Sequence, residues 1–107
     1  MSTFAKLVAA IRGWLAPRYR VTSVDEIPEQ PHRHMLYLVG EDPAWQAAML
    51  CPCKCGVLIQ LSLIPADRPR WKARIDTQGR PSLMPSVWRT GGCQAHFFLR
   101  DGRIYWC

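Results

Sequence analysis

The 107-residue sequence has no apolar run that approaches the roughly 20 residues needed to span a bilayer. It has no signal peptide either, because the opening lacks a basic start followed by a long apolar stretch and a cleavage site. The cysteine count is odd, at five, which argues against a framework made only of disulfides. We therefore expect a soluble protein in a reducing cytoplasm.

Signatures of catalysis are scarce as well. The sequence contains no recognisable Ser/His/Asp order and no phosphate-cradling glycine loop. Carboxylates are few from Arg68 onward, where eight basic residues accompany only Asp76 and Asp101. Because no general base lies near the cysteines except Asp101, which a turn already explains, the sequence favours a protein that is not an enzyme.

Cysteine, by contrast, is concentrated in two places. Three cysteines lie within five residues in mid-chain, and the C-terminal part adds a Cys-x-x-His pair and a further cysteine. Thiolates and imidazoles supplied in pairs from tight turns are typical zinc ligands. The six candidate metal ligands are Cys51, Cys53, Cys55, Cys93, His96 and Cys107.

These six candidates exceed the four ligands of one zinc and fall short of the eight that two sites need. One structural zinc with spare thiols is preferred to a binuclear site, and which four residues bind stays open. Zinc is preferred to an iron–sulfur cluster, because the mid-chain loop supplies no histidine. Free thiols, a disulfide from Cys93 to Cys107, and a redox switch in which Lys54 lowers a thiol pKa remain as alternatives.

Apolar and β-branched runs predict a mainly β fold for residues 35–107, as a small antiparallel sheet or a zinc-ribbon-like domain. The runs cover residues 35–39, 45–50, 56–64 and 71–75, and Pro, Gly and Asp clusters separate them. The pair Asp101-Gly102 between two apolar runs predicts a hairpin. That hairpin would bring Cys93 and His96 close to Cys107.

The N-terminal segment has a different pattern. Residues 1–20 are basic, and apolar side chains repeat at helical spacing up to Pro17, which predicts an amphipathic helix. Such a helix can bind an anionic membrane peripherally, although packing on the protein's own domain is favoured. Residues 21–34 contain Pro28 and Pro31 and few apolar side chains, so we interpret them as a linker.

A basic row follows the third predicted strand. Strand alternation puts Arg70, Lys72 and Arg74 on one face and Trp71, Ala73 and Ile75 on the other. Together with Arg68, the basic side chains are candidates for anion binding, which makes nucleic acid an alternative partner. A solvated outer face is the favoured interpretation. Residues 81–89 have two prolines and no period, and we expect a buried irregular crossing.

Five motifs occur in order through residues 35–107. They are Cys51-Pro-Cys-Lys-Cys-Gly56, Arg68-Pro-Arg-Trp71, Pro85-Ser-Val-Trp-Arg89, Gly92-Cys-Gln-Ala-His-Phe97 and Asp101-Gly-Arg-Ile-Tyr-Trp-Cys107. Together they resemble a bacterial family of small cysteine-rich proteins of unknown function, some encoded beside ubiquitin-like conjugation genes. The resemblance implies zinc binding and an adaptor or ligase-like role. Two positions depart from the family pattern, with Lys54 in place of Gly and Ala95 in place of Ser.

The sequence thus leads to a non-catalytic, zinc-stabilised module that binds a protein partner. The resemblance suggests a bacterial ubiquitin-like modification pathway for that partner. A nucleic-acid-binding zinc domain is the first alternative, and a redox or metal-dependent enzyme is the second. The oligomeric state is left open.

Overall fold

A computed structural model of the chain describes residues 17–107, and these residues form nine β-strands and no helix. The strands are β1 Arg20–Val24, β2 Met35–Val39, β3 Gln46–Leu50, β4 Leu58–Ser62, β5 Lys72–Ile75, β6 Pro81–Met84, β7 Val87–Trp88, β8 His96–Arg100 and β9 Arg103–Trp106. The mainly β prediction is confirmed. The predicted N-terminal helix falls on residues 1–16, outside the described residues. Within residues 17–107 there is no helix long and apolar enough to cross a membrane.

The first sheet has the strand order β1-β2-β3-β4. The pairs β2–β3 and β3–β4 are antiparallel, as the three corresponding apolar runs predict. Strand β1 pairs parallel to β2, with Arg20 opposite Met35, and lies in the stretch that we interpreted as a linker. The sequence gives little signal for β1 because its five residues are exposed or only half-buried. Its pairing therefore depends on a neighbour 15 positions further along the chain.

The other two sheets are smaller. Strands β5 and β6 form an antiparallel pair, and the third sheet has the order β7-β8-β9. The Asp101-Gly102 hairpin is confirmed, because Arg100 pairs with Arg103 across a two-residue turn. Asp101 has φ of 50° and Gly102 has φ of 79°, which are the positive values that a type I′ turn requires.

Residues 81–89 are more regular than we expected. They contain β6 and β7, which are separated by two residues. Pro81 is the first residue of β6, a position where a strand tolerates proline. The segment is buried only in part, since Leu83 and Val87 are each 2% exposed as predicted, whereas Met84 and Trp88 are 48% and 63% exposed.

All three sheets contribute to a single hydrophobic core. Phe97 from β8, Leu36 from β2 and Met49 from β3 are among its fully buried side chains. Trp71 and Ala73 pack against this core as predicted, whereas Ile75 is 45% exposed at the end of its two-stranded sheet. Cys51, directly after β3, belongs to the core and is 3% exposed. The start of the cysteine-rich loop is therefore anchored in the body of the protein.

Candidate metal centre and serine–histidine pair

The mid-chain cysteines lie on the loop of residues 51–57 that joins β3 to β4. The N–H of Cys51 donates to the carbonyl of Val57 (2.8 Å), and the N–H of Lys54 donates to the carbonyl of Cys51 (3.1 Å). Lys54 (φ 69°) and Gly56 (φ 83°) both adopt the left-handed conformation. These reversals turn the loop back on itself, so cysteines that would share one face of a strand instead surround a common point.

Cys93 lies on a second loop, residues 89–95, between β7 and β8. The N–H of Arg89 donates to the carbonyl of Ala95 (2.8 Å), which closes the loop at its base. Gly92 (φ 63°) and Gln94 (φ 54°) supply the left-handed conformations that turn the backbone. This geometry projects the Cys93 side chain toward the first loop.

The two loops bring four thiols together. The sulfur atoms of Cys51, Cys53, Cys55 and Cys93 all lie within 4.8 Å of one another. Cys51 Sγ is 3.2 Å from Cys53 Sγ and 3.6 Å from Cys93 Sγ. Thiolates on one tetrahedral zinc, each about 2.3 Å from the ion, are separated by roughly 3.8 Å. The spacing therefore fits a single metal ion held by four cysteines.

The thiols of Cys53, Cys55 and Cys93 differ in acidity in the absence of an ion. A hydrogen bond from the backbone N–H of Ala95 to its sulfur is the main cause that lowers the pKa of Cys93 to about 6. Thiol–thiol hydrogen bonding, first with Cys51, raises the pKa of Cys53 to about 12. The backbone N–H of Val57 lowers the pKa of Cys55. Neighbouring thiols thus cannot all ionise without a cation, because the thiolates would repel one another. A bound cation would remove that repulsion.

Arg89 supplies a positive charge at the edge of the thiol group. Its Nη1 donates to Cys93 Sγ (3.0 Å) and to Cys55 Sγ (3.4 Å). These sulfur atoms belong to different loops, so one guanidinium contacts both loops. Hydrogen bonds between a guanidinium and thiolates are charge-assisted and offset the negative charge of a four-thiolate centre.

The other two predicted ligands lie elsewhere in the structure. The backbone N–H of Cys107 donates to the carbonyl of His96 (3.0 Å), so the hairpin does bring these residues together as expected. Among residues 17–107, however, the group of four thiols includes neither the Cys107 thiol nor the His96 imidazole. Cys107 is a free, exposed thiol.

His96 instead faces a serine. Ser86 Oγ and His96 Nε2 are 3.0 Å apart, a hydrogen-bonding distance, and both residues are half-buried. Ser86 directly precedes β7, and His96 opens β8. The indole Nε1 of Trp71 donates to the Ser86 carbonyl (3.2 Å), which fixes the backbone that carries the hydroxyl.

The imidazole of His96 is also covered by an aromatic ring. Trp88 pairs with His96 across β7 and β8, and their rings stack with centroids 5.2 Å apart and an interplanar angle of 22°. Trp88 is 63% exposed, so this stack lies at the protein surface. Among the hydrogen bonds and ion pairs of the described residues, none joins a carboxylate to His96.

Ser86 is the functional candidate that the sequence interpretation missed. The available signals were the Pro-Ser-Val-Trp-Arg motif and a histidine ten positions later. Because β7 has only two residues, no periodicity reveals the strand pairing that brings Ser86, directly before β7, next to His96.

The predicted basic row is on the surface at β5 and the segment before it. Lys72 and Arg74 are exposed, and Arg74 makes a long ion pair with Asp101 (4.0 Å). Arg68 donates to the carbonyls of Pro65 (2.8 Å) and Asp67 (2.6 Å). The predicted alternation is thus confirmed for Lys72, Ala73 and Arg74 but not for Ile75, which is exposed. Anion binding by this row stays a prediction.

A groove of about 660 Å³ runs between the first cysteine loop and β9. Its lining includes Cys51 and Pro52 on one side and Tyr105 and Trp106 on the other, but not Ser86 or His96. The serine–histidine pair therefore lies outside this groove.

A comparison with protein families finds one match over most of the chain. The family described as "Bacterial ubiquitination-like system serine protease (BubE)" matches residues 23–107. No curated protein and no solved structure matches the chain.

Proposed function

The chain belongs to the family described as bacterial ubiquitination-like system serine protease (BubE), and from that premise we propose that Ser86 is a nucleophile and His96 its general base. The 3.0 Å contact between Ser86 Oγ and His96 Nε2 carries the proposal. A serine hydroxyl is a weak nucleophile until a base within hydrogen-bond reach accepts its proton. This pair has the required distance.

The chemistry follows from the orientation of the pair. With its proton on Nδ1, the neutral imidazole of His96 offers Nε2 as an acceptor for the Ser86 hydroxyl. As the oxygen attacks a peptide carbonyl carbon, His96 takes the proton and then gives it to the departing amine. Water, deprotonated by the same nitrogen, releases the acyl group from Ser86 in a second step.

Trp88 and Trp71 replace part of the orienting role that a carboxylate has in a triad. The stacked indole of Trp88 restricts rotation of the His96 ring. The Trp71 indole donates a hydrogen bond to the Ser86 carbonyl and thereby holds the backbone from which the Ser86 side chain extends. The exposed Trp88 ring beside the half-buried pair suits a protein substrate, and we propose that this substrate is a protein of the ubiquitin-like system.

The four cysteines are proposed to hold a structural zinc ion. Four thiolates complete a tetrahedral coordination shell and leave no position for substrate or water. The ion would therefore stabilise the two loops and take no part in bond cleavage. The non-catalytic role predicted from sequence rested on the lack of a carboxylate base near the cysteines and of a visible Ser/His/Asp order, and neither point bears on a serine–histidine pair formed by the fold.

A fluorophosphonate probe and a ubiquitin-like protein of the same bacterial system test the function. We expect covalent labelling and cleavage by the full chain, and loss of both in Ser86→Ala and His96→Ala. Ser62→Ala and His32→Ala are matched controls, since both residues lie outside the pair, and they should retain both reactions. Undiminished cleavage by Ser86→Ala, or no labelling of the unmodified chain, would contradict the proposal and favour an adaptor role.

A further inference from the structure

We propose that the four-cysteine centre fixes the position of His96 relative to Ser86, and that Arg89 is the positioning residue that connects the two sites. The inference rests on the proposed function for its consequence in catalysis. Its structural content, a link between thiols and imidazole, can be measured without any substrate. Arg89 contacts neither Ser86 nor His96 in the hydrogen bonds of the described residues, so it would act through the backbone.

The link begins with the loop of residues 89–95. Ser86 lies three residues before Arg89, and His96 lies three residues after Cys93. The hydrogen bond from the Arg89 N–H to the Ala95 carbonyl closes the base of this loop, one step beyond the pair formed by Trp88 and His96. Any displacement of the loop therefore changes the distance between Ser86, which directly precedes β7, and His96, which opens β8.

The loop is short of other restraints. Strand β7 has only two residues and pairs with β8 at two positions. Gly91, Gly92, Cys93 and Gln94 are all exposed, so little packing holds the loop. Glycines and an exposed backbone leave much conformational freedom. Besides the backbone hydrogen bonds from Arg89 to Ala95 and from Gln94 to Gly91, binding of Cys93 to a metal shared with the other loop would add a direct tie to the body of the protein.

Arg89 makes this restraint specific. Its guanidinium donates from one residue after β7 to Cys93 in its own loop and to Cys55 in the other. A Cβ atom at Gly92 would lie only 3.1 Å from Arg89 Nη2, so the guanidinium packs directly over that glycine. Lysine keeps the charge but has a single nitrogen on a flexible stem, and it cannot reproduce the planar guanidinium between the loops.

Three samples test the connection: the Arg89→Gln variant, the Arg89→Lys variant, and the unmodified chain stripped of metal by a chelator. Arg74→Gln is the matched control, since it removes one exposed arginine distant from the cysteines. Three quantities are measured: the rate of zinc transfer to a chromophoric chelator, the ¹⁵N shifts of the His96 ring, and the rate of fluorophosphonate labelling at Ser86.

We expect Arg89→Gln to speed zinc transfer, because loss of a hydrogen bond to a metal ligand typically lowers metal affinity by roughly 10- to 100-fold. The His96 ring should change from one fixed tautomer toward averaged ¹⁵N shifts, in the variant and in the metal-free chain alike. Arg89→Lys should be intermediate, and Arg74→Gln should match the unmodified chain.

Unchanged His96 shifts in the metal-free chain, with Phe97 and Leu99 amide signals still native, would overturn the inference. So would normal zinc transfer in Arg89→Gln. If Arg89→Gln fails to fold, the chelated chain and Arg89→Lys still decide the matter. The outcome is separable from the proposed function, because loss of cleavage in Ser86→Ala tests the peptidase alone while the ¹⁵N shifts test the link alone.

Discussion

The indole of Trp88 lies flat against the imidazole of His96, with the two ring centroids 5.2 Å apart. Both residues occupy paired positions on β7 and β8, so the backbone pairing sets the stack. The hydroxyl of Ser86 meets the edge of the same imidazole at Nε2. One ring is thus oriented by stacking on its face and by a hydrogen bond at its edge.

Replacing Trp88 by alanine should slow the reaction of Ser86, because the His96 ring would lose the stacking partner that limits its rotation. Stacking of this kind contributes about 0.5–1.5 kcal/mol, which predicts a fall of roughly 2- to 13-fold in the fluorophosphonate labelling rate. Trp88→Phe should retain most of the rate. Trp106→Ala removes another exposed indole from the same sheet and should have no effect; an equal loss there would contradict the assignment to the His96 stack.

Metal content should depend on four of the five cysteines. Elemental analysis of protein purified without added metal is expected to give one zinc per chain. Cys53→Ser and Cys93→Ser should lower that content strongly, because each removes one of the four neighbouring thiols. Cys107→Ser should keep it. Zinc loss in Cys107→Ser alone would mean that the ligand set is different.

Zinc affinity should rise with pH across the neutral range. Thiol–thiol hydrogen bonding holds the pKa of Cys53 at about 12, so this thiol keeps its proton at neutral pH until an ion displaces it. Cys93, with a pKa of about 6, is already a thiolate there. Binding therefore releases protons, and acid favours the metal-free state. Competition with a chelator at pH 6, 7 and 8 measures the slope; a flat profile would contradict it.

Lys54→Gly should stabilise the zinc-loaded protein by about 1 kcal/mol or leave it unchanged. Lys54 has φ of 69°, and a left-handed conformation costs a residue with a Cβ roughly 1–2 kcal/mol. Glycine removes that cost but adds freedom to the unfolded chain. Lys72→Gly, which changes a strand residue and not a turn residue, should instead destabilise strand β5. Thermal unfolding compares the two, and a clear loss of stability in Lys54→Gly would show that the lysine side chain has another role.

Asp76 should stabilise the folded state at pH values above the ordinary pKa of an aspartate, and this stabilisation should be lost in acid. Hydrogen bonding from the Arg80 backbone N–H, with further contributions from the Arg80 side chain and the Gln78 N–H, lowers the pKa of Asp76. A lowered pKa in the folded state means that the stabilisation is present at neutral pH and disappears as pH falls through the folded value. The difference in melting temperature between the unmodified chain and Asp76→Asn should therefore shrink below about pH 4.

Asp25→Asn is the control for this pH series, because Asp25 is exposed. It should show no such pH-dependent difference from the unmodified chain. A constant difference for Asp76→Asn at all pH values would point to a packing effect of the amide and not to the charge.

Several features of the fold could be predicted because they depend on neighbouring residues. Strand β2 follows from an apolar run, and the hairpin of β8 and β9 follows from the turn chemistry of Asp101 and Gly102. Strand β1 could not be predicted in this way, since its partner is distant and its own pattern is weak. The parallel pairing with β2 arises from packing and not from a turn.

The candidate sites divide in the same manner. The spacing of Cys51, Cys53 and Cys55 is enough to indicate a metal ligand cluster, because three thiols so close together have few other uses. The sequence also provides Cys93 and His96 at a spacing that suits one metal ion. It does not reveal that the two side chains go to different sites.

What the sequence determined by itself is therefore local: the strands with strong alternation, the tight hairpin, and the cysteine loop with its need for a cation. The tertiary structure alone decided that Cys93 joins three thiols some 40 residues earlier while His96, three positions on, meets Ser86. The physical reason is that the loop of residues 89–95, which joins the paired strands β7 and β8, places Cys93 against the loop of residues 51–57. Side chains on that loop and on the strands point to different neighbours, and only the packed sheets bring those neighbours into place.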